Sequence, residues 1–327
     1  MSRARVATWA AAAVVGAIGV GLAVPVLAGL FPVAQLVSFR AVLGLAGIAG
    51  ALALLAVPPL RRRAMPVVVA LALGAAVQGA VLVSRAVPHG PPTTTAAGTT
   101  TTPDDVVVLS FNTLDVVPPG TLAELVEKTD ADVVVLAETS PATVRATAAA
   151  LAEAGRPVQV HTSDADHRWI AGTGLLVART LGDYPTATRL PLHFGGVRSV
   201  PTDGAGPTLV AAHPMSPGGR SAMPTWRSET AWVAQACAST PGAIVAGDLN
   251  ATLDHPGLRD LGPCVDAARA AGEAWRGTWP SSAPSLLAAP IDHVLVDGRA
   301  WRVTGFDVLG RTGGSDHRPV VAHLVRR

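Results

Sequence analysis

The stretch Ala243-Ile-Val-Ala-Gly-Asp-Leu-Asn250 decides how the second half of the chain is read. Four small or apolar residues, enough for a short buried strand, run through a glycine directly into a carboxylate and an amide. The same ending recurs on both sides of it. Val106–Phe111 runs into Asn112, Val133–Ala137 into Glu138, and Leu209–Ala212 into His213. Pro290-Ile is followed by Asp292-His293, and Gly314-Ser by Asp316-His317. Runs at Leu175–Ala178, Ile291–Val296, Trp301–Val308 and Val320–Val325 also read as strands, while Leu122–Thr129, Pro141–Ala154 and Trp226–Ala238 read as helices. Strands outnumber helices, and the helices fall in the early crossovers, so the pattern predicts a mixed two-sheet α/β domain over 104–327. A rigid sheet that ends its strands in polar groups hands those groups to a common crevice.

Taken singly, each ending has a plain structural reading. Asp248 and Asn250 can shape a turn by bonding backbone amides, and Glu138 can be a solvated loop residue. Taken together, they resemble the endonuclease/exonuclease/phosphatase superfamily. The pieces that carry the resemblance are Ser110-Phe-Asn112, Leu136-Ala-Glu138, Ala212-His213, Gly247-Asp-Leu-Asn250, Ile291-Asp-His293 and Gly314-Ser-Asp-His317, in the family's order. The resemblance implies a four-layer α-β-β-α sandwich and divalent-metal-dependent hydrolysis of a phosphoester. It implies Mg²⁺ as cofactor, with Mn²⁺ as its substitute.

The residue types suit that chemistry. A hard cation prefers carboxylate oxygens, which makes Glu138 the leading metal ligand, with Asp316 a second carboxylate and Asn112 a neutral member of the metal shell. By resemblance Asp248 orients the attacking water and Asn250 faces the phosphoryl oxygens. His317 faces the phosphate, with Asp292 fixing its tautomer. His213 matches the second family histidine, a phosphate contact or proton donor. Two departures stand out. Leu114 occupies a place where several relatives have a polar residue, with Asp115 one place later, and the sole tyrosine, Tyr184, matches no phosphate-contacting one. The other histidines read as surface or structural, and Trp279 as a packing residue.

Composition adds a second part. The chain has 327 residues, 49% hydrophobic and only 15% charged, with a mean hydropathy of +0.39. Such a balance predicts that part of it lives in lipid. Seven arginines and no acidic residue precede Asp104, whereas 18 basic and 23 acidic residues follow from there, so the two parts carry +7 and −5. An acidic exported part with Lys128 as its only lysine disfavours a dedicated duplex-DNA surface. Uncharged runs predict three transmembrane helices over about 9–30, 37–58 and 64–84, each near the roughly 20 residues a bilayer requires. Short turns at Phe31–Gln35 and Pro58–Arg63 predict tight hairpins, and Arg40 snorkels at the margin of its span. Arg3, Arg5 and Arg61–Arg63 predict a cytoplasmic amino terminus, with Arg40 and Arg85 dissenting, and hence a multi-pass cell-membrane protein whose domain lies outside. A cleaved signal peptide at the first run is the alternative.

Residues 1–87 are thus read as anchor, 88–103 as an extended Thr/Pro-rich tether and 104–327 as the exported domain. Cys237 and Cys264 both fall in the exported part, where an oxidising compartment favours a disulfide over two separately buried thiols. Closing that loop is worth roughly 3 kcal/mol on a chain-entropy model. The expected partners are a phosphoester substrate (lipid, nucleic acid or small molecule) and the bilayer. The alternative reading is a catalytically silent module that binds a phosphorylated ligand. A transporter is disfavoured, because the apolar runs carry no acidic residue.

Overall fold

The computed structural model describes residues 3–22, 24–89, 105–167, 169–202, 204 and 206–327. The Thr-rich core of the expected tether, 93–102, lies outside the described residues. The first part holds helices α1 (Arg3–Gly21), α2 (Val33–Val37), α3 (Arg40–Ala56), α4 (Pro58–Arg61) and α5 (Met65–Arg85), with a 3₁₀ turn at Pro25–Gly29. Among the described residues, α5 alone, at 21 residues, is long and apolar enough to cross a membrane. Val6–Gly19 and α3 are shorter apolar helices that pack on α5.

The first apolar run does not form the single helix expected over 9–30. It ends at Gly21, and the chain restarts as Pro25–Gly29 and α2. Pro25 and Pro32 supply no backbone N–H and disfavour helix in the residue before them, which breaks the run there. The expected tight turn at Phe31–Gln35 is instead a segment docked on the second part. Ala34 is fully buried, and Gly29 and Ala34 offer their carbonyls to Arg227 and His255.

The second part contains strands β1 (Asp105–Asn112), β2 (Val133–Ala137), β3 (Val158–Ser163), β4 (Thr173–Ala178), β5 (Ala187–Arg189) and β6 (Gly196–Ser199). They are followed by β7 (Leu209–Ala212), β8 (Ile244–Asp248), β9 (Cys264–Asp266), β10 (Asp292–Asp297), β11 (Trp301–Val308) and β12 (Val320–Arg326). These make two six-stranded sheets, ordered β11-β12-β1-β2-β4-β3 and β5-β6-β7-β8-β10-β9. The sheets pack face to face through Val106, Val108, Val133, Val135 and Val177 from one and Leu209, Ile244, Ala246, Val294 and Val296 from the other. Alternate residues of the same strands, among them Val107, Leu109 and Phe111, bury their outer face under α6 (Pro119–Thr129) and α7 (Pro141–Glu153). Burial on both faces is why these strands read as continuous apolar runs rather than alternating ones. Helix α8 (Met223–Ala238) covers the second sheet through Trp226 and Val233, and Ala34 of the docked segment joins that same layer. Cys237 on α8 and Cys264 on β9 form a disulfide.

The two parts are joined by buried charge. Arg40, at the start of α3, grips Asp254 with two hydrogen bonds of 2.7 and 2.8 Å, and Arg85, at the end of α5, pairs with it at 2.6 Å. Gln78 accepts from Arg40 at 2.6 Å. Arg40 therefore does not snorkel. Both arginines that dissent from the charge bias lie at the end of the helices that meets the domain, and they share the Asp254 carboxylate there. Burial alone would raise the Asp254 carboxyl, but the hydrogen bonds and charges of Arg40 and Arg85 outweigh it and hold it below the usual carboxylate range.

Candidate active site

Strand register brings the polar endings together. β1 and β2 run parallel with Asn112 beside Ala137, so Asn112 and Glu138 leave the first sheet side by side. β8 and β10 run antiparallel with Asp248 directly opposite Asp292. β7 runs parallel to β8, which brings His213 to the same end of the second sheet. The Ser-Asp-His segment before β12 is tied to β1: the Ser315 hydroxyl donates to the Asn112 carbonyl at 2.7 Å and accepts from the His317 N–H at 3.0 Å.

Local backbone explains some of the motif letters. Gly247 has φ +151, and a Cβ there would meet the Ala212 carbonyl oxygen at 1.8 Å, so β8 passes β7 at a distance only glycine allows. Glu138 and Asn250, which follow β2 and β8, both sit in the left-handed region at φ 45 and 49. Such conformations in non-glycine residues cost on the order of 1–3 kcal/mol and gather where side-chain aim matters.

The side chains form one network. The Asn112 amide donates to Glu138 at 2.9 Å and to Asp248 at 3.0 Å, holding the two carboxylates together, while its carbonyl accepts from the Leu114 N–H. His317 Nδ1 bonds Asp292 at 2.8 Å, and its Nε2 stands 3.6 Å from Asp248. His213 Nε2 lies 3.6 Å from Asp248 and 3.9 Å from Glu138, and its ring packs on Phe194 at 5.0 Å. The Asp248 carboxyl also accepts the Asn250 N–H at 2.8 Å, and the Asn250 amide donates to the Pro214 carbonyl.

Burial alone would lower the His317 imidazole, but the charges of Asp292 and Asp248 overcome it and push it up to about 10, so it is a cation at neutral pH. Burial would raise Asp248, yet the neighbouring His317 charge, seconded by His213, holds it well below the usual range. Two groups of donors lie within 4.8 Å of one another among the described residues: Glu138, His213 and Asp248, and Asp248, Asp292 and His317. Both His213 nitrogens and one Asp292 oxygen are buried without a hydrogen-bond partner. Carboxylates with an unpaired imidazole fit a divalent cation at Glu138, Asp248 and His213. The pairing of a cationic His317 with two carboxylates fits an anion contact better than a second metal.

Asp316 stands apart from both groups. It accepts the Trp279 indole N–H at 2.9 Å and lines the cleft, with its other oxygen buried and unpaired. Trp279, read from sequence as packing, is thus part of the cleft wall. Asp115 accepts from the Ser140 N–H and the Thr143 hydroxyl at the start of α7, where it braces Ser140, the N-cap of that helix. His293 spends both ring nitrogens on Asp266 and the Ala251 carbonyl, the structural role expected. Sequence reasoning missed Phe194, Gln35 and Phe39, all of which line the cleft. None carries a motif signal; Gln35 falls in the segment read as a hairpin turn, and Phe39 in the run read as the second span.

The family model described as endonuclease/exonuclease/phosphatase matches residues 109–317. Comparison with curated proteins finds no match. Solved structures similar in fold include an endonuclease/exonuclease/phosphatase from Beutenbergia cavernae, with TM-score 0.54, 18% identity and coverage of 68% of this chain and 72% of that one. A second, from Bacteroides vulgatus, gives TM-score 0.53 and 15% identity over 68% of this chain and 99% of that one. A third, D. rerio TDP2 complexed with a single-strand DNA product, gives TM-score 0.52 and 17% identity over 67% of this chain and 98% of that one.

Proposed function

Because the chain belongs to the endonuclease/exonuclease/phosphatase family, we propose that it is a membrane-anchored, exported, divalent-metal-dependent phosphoesterase. The observation that carries this reading is the convergence of Glu138, His213, Asp248, Asp292 and His317 from both sheets, with Glu138, Asp248 and His317 lining one cleft. A bound Mg²⁺ or Mn²⁺ would neutralise phosphoryl oxygens and acidify water there, with Glu138, Asp248 and His213 as its holders. The remaining work falls to the protein's own groups. Asp248, kept ionised by its neighbours, accepts a hydrogen bond from the attacking water and aims it at phosphorus. His317, kept cationic, donates to a non-bridging oxygen and answers the charge that grows in the transition state. Asp292 fixes the His317 ring so that Nε2 faces the cleft.

The anchor belongs to the same proposal. Three apolar helices with Arg61–Arg63 at one end and the domain at the other suit a cytoplasmic amino terminus and an outside domain. The Cys237–Cys264 bond suits an oxidising compartment.

The test is hydrolysis by the full chain, purified in detergent, of soluble phosphodiesters and phosphomonoesters with added Mg²⁺ or Mn²⁺ and with a chelator. Turnover that the chelator removes and the ion restores is the expected result. Absence of turnover on every ester with either ion would leave the silent binding module in its place.

A further inference from the structure

The cleft has a wall that the catalytic domain does not supply. Gln35, Ser38 and Phe39, on the segment between α1 and α3, line the same cavity of about 370 Å³ as Glu138, Asp248 and His317. The segment is fixed in place. Gln35 donates through its amide to the Pro217 carbonyl and, at 3.7 Å, to Met223 sulfur. His255 and Arg227 bond the Ala34 and Gly29 carbonyls at 3.0 Å, and Arg40 with Arg85 clamps Asp254 one residue past Phe39.

Three features of this wall point to a ligand. The side-chain carbonyl oxygen of Gln35, a residue of the cavity wall, is buried and has no partner, so it has an acceptor position unfilled. The Phe39 ring lies 6.1 Å from that of Trp279, whose indole is oriented by Asp316, so two aromatic faces flank the carboxylate cluster. From Phe39 the chain passes at once into apolar α3, against which the Ser285–Leu287 turn packs, and Leu36, Trp279 and Leu286 stay exposed around that junction. Among the described residues, no lysine or arginine lines the cavity, although a polyanion running through it would need several. A single phosphate seated at His317 would instead leave the rest of its molecule beside Phe39 and the bilayer end of the helices.

We propose that the substrate is a lipid phosphoester taken from the leaflet on which the domain sits, its head group bonded by Gln35 and its apolar tail passing Phe39 and Trp279. This rests on the reading of the chain as a membrane-anchored phosphoesterase. It goes beyond tethering: the anchor is a part of the substrate site, and Asp254 is the positioning residue that holds it there.

The experiment uses the full chain in vesicles or mixed micelles with Mg²⁺ or Mn²⁺. The probes are bis(4-nitrophenyl) phosphate, a single-stranded oligonucleotide, phosphatidylglycerol as lipid diester, phosphatidic acid as lipid monoester, and the corresponding head groups without acyl chains. One of the two lipids should exceed its tailless head group and the oligonucleotide in kcat/KM by about 10²-fold or more, the worth of a few buried methylenes. Phe39→Ala should raise KM for that lipid about tenfold with kcat nearly unchanged, the pattern of lost ground-state binding. Asp254→Asn should do the same to the lipid while leaving turnover of the soluble diester intact, which also reports that the variant is folded. If Asp254→Asn fails to fold, Phe39→Ala decides alone. Metal-dependent turnover of the soluble diester or the oligonucleotide with none on either lipid overturns the inference but leaves the phosphoesterase reading standing. An unchanged lipid KM in Phe39→Ala overturns it as well. Absence of turnover on every probe overturns both.

Discussion

The two walls of the cleft are held by different physics. On the domain side, Asn112, Glu138, Asp248 and Asp292 are aimed by strand register, by two left-handed residues and by hydrogen bonds of 2.8–3.0 Å. On the anchor side no strand pairing reaches Gln35–Phe39, and placement depends on Asp254, His255 and Arg227. A sheet wall does not yield without unfolding, whereas a docked wall can be loosened residue by residue. Chemistry should therefore fail through the first wall, and substrate choice through the second.

The largest expected effect is on the sheet wall. Glu138→Ala removes a carboxylate that Asn112 holds against Asp248, and kcat on any accepted ester should fall by roughly 10³-fold or more. Circular dichroism should remain native, because Glu138 is only partly buried and lies beyond the end of β2. Near-normal turnover in this variant would remove Glu138 from the site. Asp292→Asn should cost about 10²-fold near neutral pH, and its pH profile sharpens the assignment. With His317 raised to about 10, the working cation is present below that value and is lost as pH rises through it. Removing the Asp292 charge lowers that value, so the alkaline limb of kcat/KM should move down by about one unit or more. An alkaline limb that stays in place would show that His317 is not held up by Asp292.

How much of this was legible in the sequence follows the same division. The sheet wall was readable because each strand is an apolar run that stops at a polar residue, and the order of those stops is shared with the family. Strands β3, β5 and β9 at sheet edges, and β6 beside β5, were not read. Val158-Gln-Val-His-Thr-Ser alternates weakly, the other three are three or four residues long, and their pairing comes from neighbouring strands rather than from their own pattern. The anchor wall was illegible for another reason. Phe31–Gln35 and Arg40 look like a turn and a snorkelling charge until Asp254, more than 200 positions away, supplies the partner. Long-range ion pairs leave no periodicity. The two outlying arginines, Arg40 and Arg85, were the only trace of it.

A smaller effect separates stability from chemistry within the sheet wall. The disulfide fastens α8 to β9, and α8 carries Trp226, whose indole donates to the Asn250 carbonyl at 2.9 Å. Cys237→Ser with Cys264→Ser should lower unfolding free energy by roughly 3 kcal/mol, read as a fall in denaturant midpoint matched by reduction of the wild type. Turnover below the transition should stay close to normal, because Asn250 is also fixed by Asp248 and the Pro214 carbonyl. A collapse of kcat in the folded double variant would mean that the sheet wall is less self-sufficient than its register suggests.

The smallest expected effect belongs to the docked wall. His255 is fully buried, packs edge-on against Trp226, accepts the Thr252 N–H at Nδ1 and so donates from Nε2 to the Ala34 carbonyl. That arrangement requires the neutral ring, and burial lowers its titration to about 4. An unfolded or undocked imidazole titrates near 6.5. Between those values the open state binds a proton that the docked state refuses, so stability is complete above about 6.5 and declines as pH falls toward 4. At pH 5.5 the loss should reach only about 1 kcal/mol. His293 and His317, raised rather than lowered, push in the opposite direction, so the comparison must be with His255→Gln, which keeps them. The wild-type midpoint should fall more than the variant's between pH 7.5 and 5.5. Equal slopes would mean that the ring does not hold the anchor segment in its neutral form, and the hold on that wall would then reduce to Asp254 and Arg227.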